Sequence, residues 1–206
     1  MKIVFFGDSI TDMGRNREGD KKAFGYGVGY PSFVAGTLLK DEPEKYEIFN
    51  RGIGGNRIVD LYARIKLDVW NLQPDVLSIL IGINDVWHEI FGKNGVDLDR
   101  FERIYRMLLQ DTRERFPNMK FVLMEPFVLE GEATKETFGQ FLEVKKYAQV
   151  VRKLAEEFGA VFVPLQEKFD EMAKKHGAEN YLYDGVHPDA AGAKLIADEW
   201  LNAFMK

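Results

Sequence analysis

The chain has 206 residues, enough for one domain that buries roughly 70 % of its unfolded surface without any covalent staple. It contains no Cys, which excludes a disulfide framework, a thiol nucleophile and a thiolate metal site. Lys and Arg number 28 against 33 Asp and Glu, a net charge of −5 with the signs interspersed, so nucleic acid is not an expected partner.

In chain order, the apolar run Ile3, Val4, Phe5 and Phe6 stops at Gly7 and predicts a buried parallel strand. Asp8, Ser9 and Thr11 then emerge at its carboxyl end, where open α/β sheets bind ligands. A serine held there can act as a nucleophile, and the same three residues are equally good helix caps. A helix starts at Tyr30-Pro31, with Phe33, Val34 and Leu38 as its apolar side. Further strands are expected at Tyr46–Asn50, Val76–Ile81, Lys120–Glu125 and Ala160–Val163.

A second helix runs from about Ile58, with Leu61, Tyr62 and Ile65 on its face, and ends before Pro74. The third carries Phe101, Ile104, Tyr105, Leu108, Leu109 and Thr112, and stops at Pro117. A fourth holds Phe141, Leu142, Val150, Val151, Leu154 and Phe158 before Gly159, and the last runs from Asp189 to about Phe204. A short helix near Lys168–Lys175 ends at His176, whose place at the negative end of the helix dipole assigns it a structural role. Strands alternating with helices in this way predict a parallel sheet with helices on its faces. Long loops are expected at Thr11–Tyr30, Val86–Leu98 and Phe127–Thr137, all after strand ends and all able to border one site.

Four stretches can carry chemistry. Gly7-Asp8-Ser9-Ile10-Thr11 offers the serine, and Gly52-Ile53-Gly54-Gly55-Asn56 is a glycine-dense turn able to aim N–H groups at negative charge. Gly82-Ile83-Asn84-Asp85 places a side-chain amide at a strand end, as an oxyanion donor or as a turn cap. Asp184-Gly185-Val186-His187 spaces a carboxylate to reach one imidazole nitrogen and aim the other at a nucleophile. A right-handed parallel sheet gathers all four on one edge. Together they supply a nucleophile, an oriented base and three oxyanion donors: the N–H of Ser9, the N–H of Gly55 and the amide of Asn84.

In these four ordered blocks, from Gly7 to His187, the chain resembles the SGNH, or GDSL, hydrolase family. The strings Thr11-Asp12-Met13-Gly14-Arg15, Gly27-Val28-Gly29-Tyr30 and Ile83-Asn84-Asp85-Val86-Trp87 look like its bacterial acetyl-xylan esterase branch. The resemblance implies a flavodoxin-like three-layer α/β/α sandwich with a five-stranded parallel sheet in the order 2-1-3-4-5. It makes Ser9 the nucleophile and backbone donor, Gly55 (or its neighbour Gly54) and Asn84 the rest of the oxyanion hole, and His187 with Asp184 the base and its orienter.

The expected activity is a serine esterase that removes a short acyl group, most often acetyl, from a carbohydrate, with no metal or organic cofactor. Asp8, Trp87 and Tyr183 are expected to contact the substrate, while Phe91 and Tyr181 are further aromatics near the site. The alternatives are a lysophospholipase or thioesterase of the same family, a non-catalytic ligand-binding module, or a metal site using Asp8 and Asp12. No apolar stretch reaches the roughly 20 residues of a membrane span. The run before Gly7 is shorter than the about 7 to 15 apolar residues of a signal peptide. The expectation is therefore a cytoplasmic protein of one domain, 1–206, with a small-molecule ester partner, no membrane partner, and exposed aromatics that would permit a homo-oligomer.

Overall fold

The structure is a computed structural model and describes residues 1–19 and 25–205. Five parallel strands form one sheet in the order β2-β1-β3-β4-β5, where β1 is Lys2–Gly7, β2 Glu47–Gly52, β3 Val76–Leu80, β4 Lys120–Met124 and β5 Val161–Val163. Every residue of β3 is buried, as an apolar strand covered on both faces must be. The fold is the flavodoxin-like three-layer sandwich expected above. Its helices are α1 (Ser9–Asp12), α2 (Tyr30–Asp41), α3 (Ile58–Asp68), α4 (Ile83–Gly92), α5 (Leu98–Arg115), α6 (Phe138–Phe141), α7 (Val144–Phe158), α8 (Gln166–His176) and α9 (Ala190–Phe204).

Helices α2 and α9 pack together on one face of the sheet, and α3, α5 and α7 on the other. On the first face the Phe5 ring meets both Tyr30 and Trp200 edge-on, with centroids 5.4 and 5.3 Å away. The indole N–H of Trp200 would be costly to bury alone, and it donates to Ser78 Oγ at 2.9 Å. Helix ends are set by local chemistry: Asp97 Oδ1 accepts the Arg100 N–H to start α5, Asp189 Oδ1 accepts the Ala191 and Gly192 N–H groups to start α9, and Gly159 ends α7.

The register decides where the site lies. Gly7 pairs with Gly52 on one side and Leu80 on the other, and Leu80 pairs with Met124, so the four blocks leave the sheet at one edge. Gly52 brings β2 against α1: a Cβ there would fall 2.7 Å from the Asp12 Cα, so only glycine allows the approach.

Some expected elements differ from the observed ones. The predicted loop Val86–Leu98 is mostly helix, because α4 begins directly after β3 and runs to Gly92. The predicted fourth helix is two pieces, α6 and α7. The helix from Ile58 ends before Pro74 as expected, at Asp68, and is followed by a 3-10 turn at Trp70–Leu72, while α8 is longer than Lys168–Lys175 by the residues up to Gln166 and His176. Strand ends differ by one or two residues, as ladder hydrogen bonds and not apolar runs define them. The predicted loop after Thr11 is entered through the short helix α1, and its residues 20–24 lie outside the described residues.

Candidate active site

At the end of β1 the capping role falls to Asp8, which leaves the Ser9 side chain free of it. Asp8 is the N-cap of α1, its Oδ1 accepting the Ile10 N–H at 3.0 Å, and Ser9 is the first helical residue. The Ser9 N–H is therefore one of the helix's unpaired donors, and it has no acceptor among the described residues. Thr11 is buried with its hydroxyl 3.1 Å from the Tyr30 hydroxyl. Asn50, also buried, donates to the Thr11 carbonyl at 2.6 Å and accepts the Gly52 N–H at 2.8 Å, tying α1 to the end of β2.

Ser9 Oγ lies 2.9 Å from His187 Nε2, and His187 Nδ1 lies 2.7 Å from Asp184 Oδ2. The second Asp184 oxygen accepts the N–H groups of Val186 and His187 at 2.9 and 2.8 Å. Burial alone would raise the Asp184 carboxyl, but the His187 side chain and these two N–H groups outweigh it and hold the carboxyl below its ordinary value. The same hydrogen bond with Asp184 raises His187 above its ordinary value, with burial opposing. The segment between β4 and α6 clamps this turn: the Leu129 N–H donates to the Gly185 carbonyl and the Ala133 N–H to the Asp184 carbonyl, each at 2.9 Å.

Opposite Ser9, the glycine turn distinguishes its two candidates. The Gly54 N–H is taken by Asp12 Oδ2 at 3.3 Å, whereas the Gly55 N–H has no acceptor among the described residues. Asn84, in the first turn of α4, donates one of its two amide hydrogens to the Asn56 carbonyl at 3.1 Å, leaving the other for a ligand. Ser9, Gly55, Asn84 and His187 line one open cleft of about 570 Å³, walled by Trp87, His88, Phe91, Gly92 and Asn94.

Of the residues expected to contact substrate, Trp87 lines this cleft, whereas Tyr183 is not in its lining but is 57 % exposed and stacked on the His187 ring at 5.8 Å. Asp8 is corrected. It is fully buried beneath Ser9 with no surface to offer a ligand, and burial pushes its carboxyl up to about 7 against the Ile10 N–H and the His187 charge. Asp12 is spent on the Arg17 guanidinium and the Arg15 and Gly54 N–H groups. The Tyr181 ring sits beside His176, at the exposed end of α8.

Sequence reasoning missed His88 and Asn94 because they were placed in a loop. The spacing of Ile83, Val86, Trp87 and Ile90 was the available helical signal. Asp85, beside Asn84, was read only as a turn cap. It is fully buried, its Oδ1 accepts the Ile58 N–H at 3.1 Å to anchor the start of α3, and burial pushes its carboxyl up to about 8.

A parallel three-layer sheet carrying serine, histidine and aspartate in one hydrogen-bonded chain at its carboxyl edge has the layout of a serine hydrolase. Residues 5–195 match the GDSL-like lipase/acylhydrolase family. An acetylxylan esterase of Geobacillus stearothermophilus is 38 % identical over 97 % of this chain and 92 % of its own length. The crystal structure of Axe2, an acetylxylan esterase from the same organism, superposes with a TM-score of 0.86 at 36 % identity, covering 98 % of this chain and 93 % of that one. A Parabacteroides merdae protein described as GDSL-like lipase superposes with a TM-score of 0.91 at 40 % identity, over 98 % of this chain and 94 % of its own. The chain belongs to the GDSL-like lipase/acylhydrolase family and is a carboxylic ester hydrolase. No helix among the described residues is long and apolar enough to cross a membrane.

Proposed function

We propose that the protein removes acetyl groups from a carbohydrate through an acyl-enzyme on Ser9. The observation that carries this reading is the chain Ser9 Oγ, His187 Nε2, His187 Nδ1, Asp184 Oδ2, at 2.9 and 2.7 Å, facing an open cleft. As Ser9 Oγ bonds to the ester carbonyl carbon, its proton passes to His187 Nε2, and Asp184 stabilises the imidazolium. The charge that develops on the carbonyl oxygen is met by the N–H of Ser9, the N–H of Gly55 and the free amide hydrogen of Asn84. Collapse breaks the bond to the sugar oxygen, which takes the proton from His187 Nε2 and leaves as the free hydroxyl. Water then attacks the acyl-enzyme by the same route and releases acetate.

Two features support a sugar as the alcohol. An acetylxylan esterase and the Axe2 structure are similar over nearly the whole chain. The cleft wall pairs the aromatic faces of Trp87 and Phe91 with the polar groups of His88 and Asn94, a combination suited to a ring with hydroxyls at its edge. The test compares acetate release from acetylated xylo-oligosaccharides with hydrolysis of p-nitrophenyl acetate and octanoate. The proposal expects the acetyl esters to be preferred and the oligosaccharide to be deacetylated. A preference for octanoate with no acetate released would replace it with a lipase or thioesterase.

A further inference from the structure

One guanidinium ties together the segments that carry both halves of the proposed site. Arg64, on α3, is largely buried, with its charge paired to Asp68 and its plane 4.4 Å above the Phe6 ring. Its remaining hydrogens reach three separate segments. Nη2 donates to the Gly7 carbonyl at 3.0 Å, Nη1 to the Arg51 carbonyl at 2.8 Å, and Nε to Asn56 Oδ1 at 2.7 Å.

These acceptors matter by position. Gly7 is two residues before Ser9 at the end of β1, and Arg51 is in β2 just before the glycine turn. Asn56 directly follows Gly55, and its carbonyl holds the Asn84 amide. The bonds from Arg64 therefore run toward the nucleophile on one side and toward the oxyanion donors on the other. Arginine's planar fork can hold separate acceptors at fixed angles, which a lysine ammonium cannot do.

We propose that Arg64 is a positioning residue that fixes the separation between Ser9 and the Gly55 and Asn84 donors, and so acts on the rate of the chemical step. This rests on the role given to Ser9 above. Misplacing reacting groups by about 1 Å from a distance can cost on the order of 100-fold, and substrate binding need not change with it.

Two variants separate this from a purely structural role. Arg64→Lys keeps the aliphatic stem against Phe6 and a charge for Asp68 but loses the fork. Asn56→Ala removes one acceptor and leaves the backbone carbonyl in place. With p-nitrophenyl acetate, Arg64→Lys should lower kcat about 10- to 100-fold while KM stays within about twofold. Asn56→Ala should lower kcat by less, and the double variant should be no slower than Arg64→Lys, because both changes cut the same bond.

Full kcat in Arg64→Lys, additive losses in the double variant, or a parallel change in kcat, KM and Tm would overturn the proposal. If Arg64→Lys does not fold, Asn56→Ala decides alone: a lower kcat at constant KM supports the role, and an unchanged kcat ends it. Ser9→Ala in the same assay keeps the two readings apart. An active Ser9→Ala overturns the serine mechanism itself, whereas an inactive Ser9→Ala beside a fully active Arg64→Lys overturns the role of Arg64 alone.

Discussion

Asp184→Asn tests the relay most finely because the structure states what the substitution keeps and what it reverses. One oxygen still accepts the Val186 and His187 N–H groups, now at 2.9 and 2.8 Å, so the turn should keep its shape. The new amide nitrogen then faces His187 Nδ1, where Asp184 Oδ2 now stands at 2.7 Å. Nδ1 must become an acceptor, the ring proton moves to Nε2, and the nitrogen 2.9 Å from Ser9 Oγ can no longer take its proton. Such a trapped tautomer costs about 10,000-fold in kcat, or about 5 kcal/mol of barrier.

The pH profile supplies a second reading of the same variant. His187 must be neutral to act as a base, so activity rises with pH through its pKa, which the Asp184 hydrogen bond holds above the ordinary 6.5. In Asp184→Asn that support is gone while burial remains, so the acid limb of the residual activity should move to lower pH. Steady-state kinetics on p-nitrophenyl acetate across pH, with circular dichroism to check folding, measures both effects. A kcat within about tenfold of the parent with an unmoved acid limb would refute the reasoning.

Other substitutions probe the donors and the buried carboxyl. Asn84→Ala should lower kcat about 100- to 1,000-fold with a small effect on KM, the cost of one oxyanion donor, and single-turnover kinetics would show the loss in the chemical step. Gly185→Ala places a Cβ 2.6 Å from the Leu129 carbonyl oxygen and from Thr134 Oγ1, at a φ of 97°. It should destabilise the fold by about 2 to 5 kcal/mol in urea denaturation. Asp85 keeps its proton in the folded state up to about 8, far above the ordinary 3.8, so the folded protein binds more protons than the unfolded chain and loses stability as pH rises through that window. Asp85→Asn has no charge to bury, and its Tm should gain on the parent between about pH 5 and about pH 8.

The parts of this protein that were legible in its sequence share one physical property: short range. The run Ile3 to Phe6 ending at Gly7, the glycine turn and the Asp184 to His187 spacing each express a local rule, and the parallel topology brings them together. Helix α4 was read as a loop although Ile83, Val86, Trp87 and Ile90 keep helical spacing, because Asn84 and Asp85 at its start also suit a turn, yet it supplies the aromatic wall of the cleft. The choice between Gly54 and Gly55 needed the position of Asp12, which claims the Gly54 N–H from 42 residues away. Arg64 was invisible for the same reason, with acceptors 57, 13 and 8 residues distant, two of them backbone carbonyls that any residue type could supply. Asp8 was misjudged because a carboxylate beside a nucleophile reads alike in sequence whether it faces the ligand or caps the helix from below.

The central claim is that Ser9 carries the acyl group, and covalent trapping tests it directly. Incubation with an organophosphonate, followed by intact-mass and peptide mass spectrometry, should show a single adduct on Ser9 that grows in step with the loss of esterase activity and is missing in Ser9→Ala. An adduct elsewhere, activity that survives full labelling, or a Ser9→Ala protein that still hydrolyses p-nitrophenyl acetate would contradict the account.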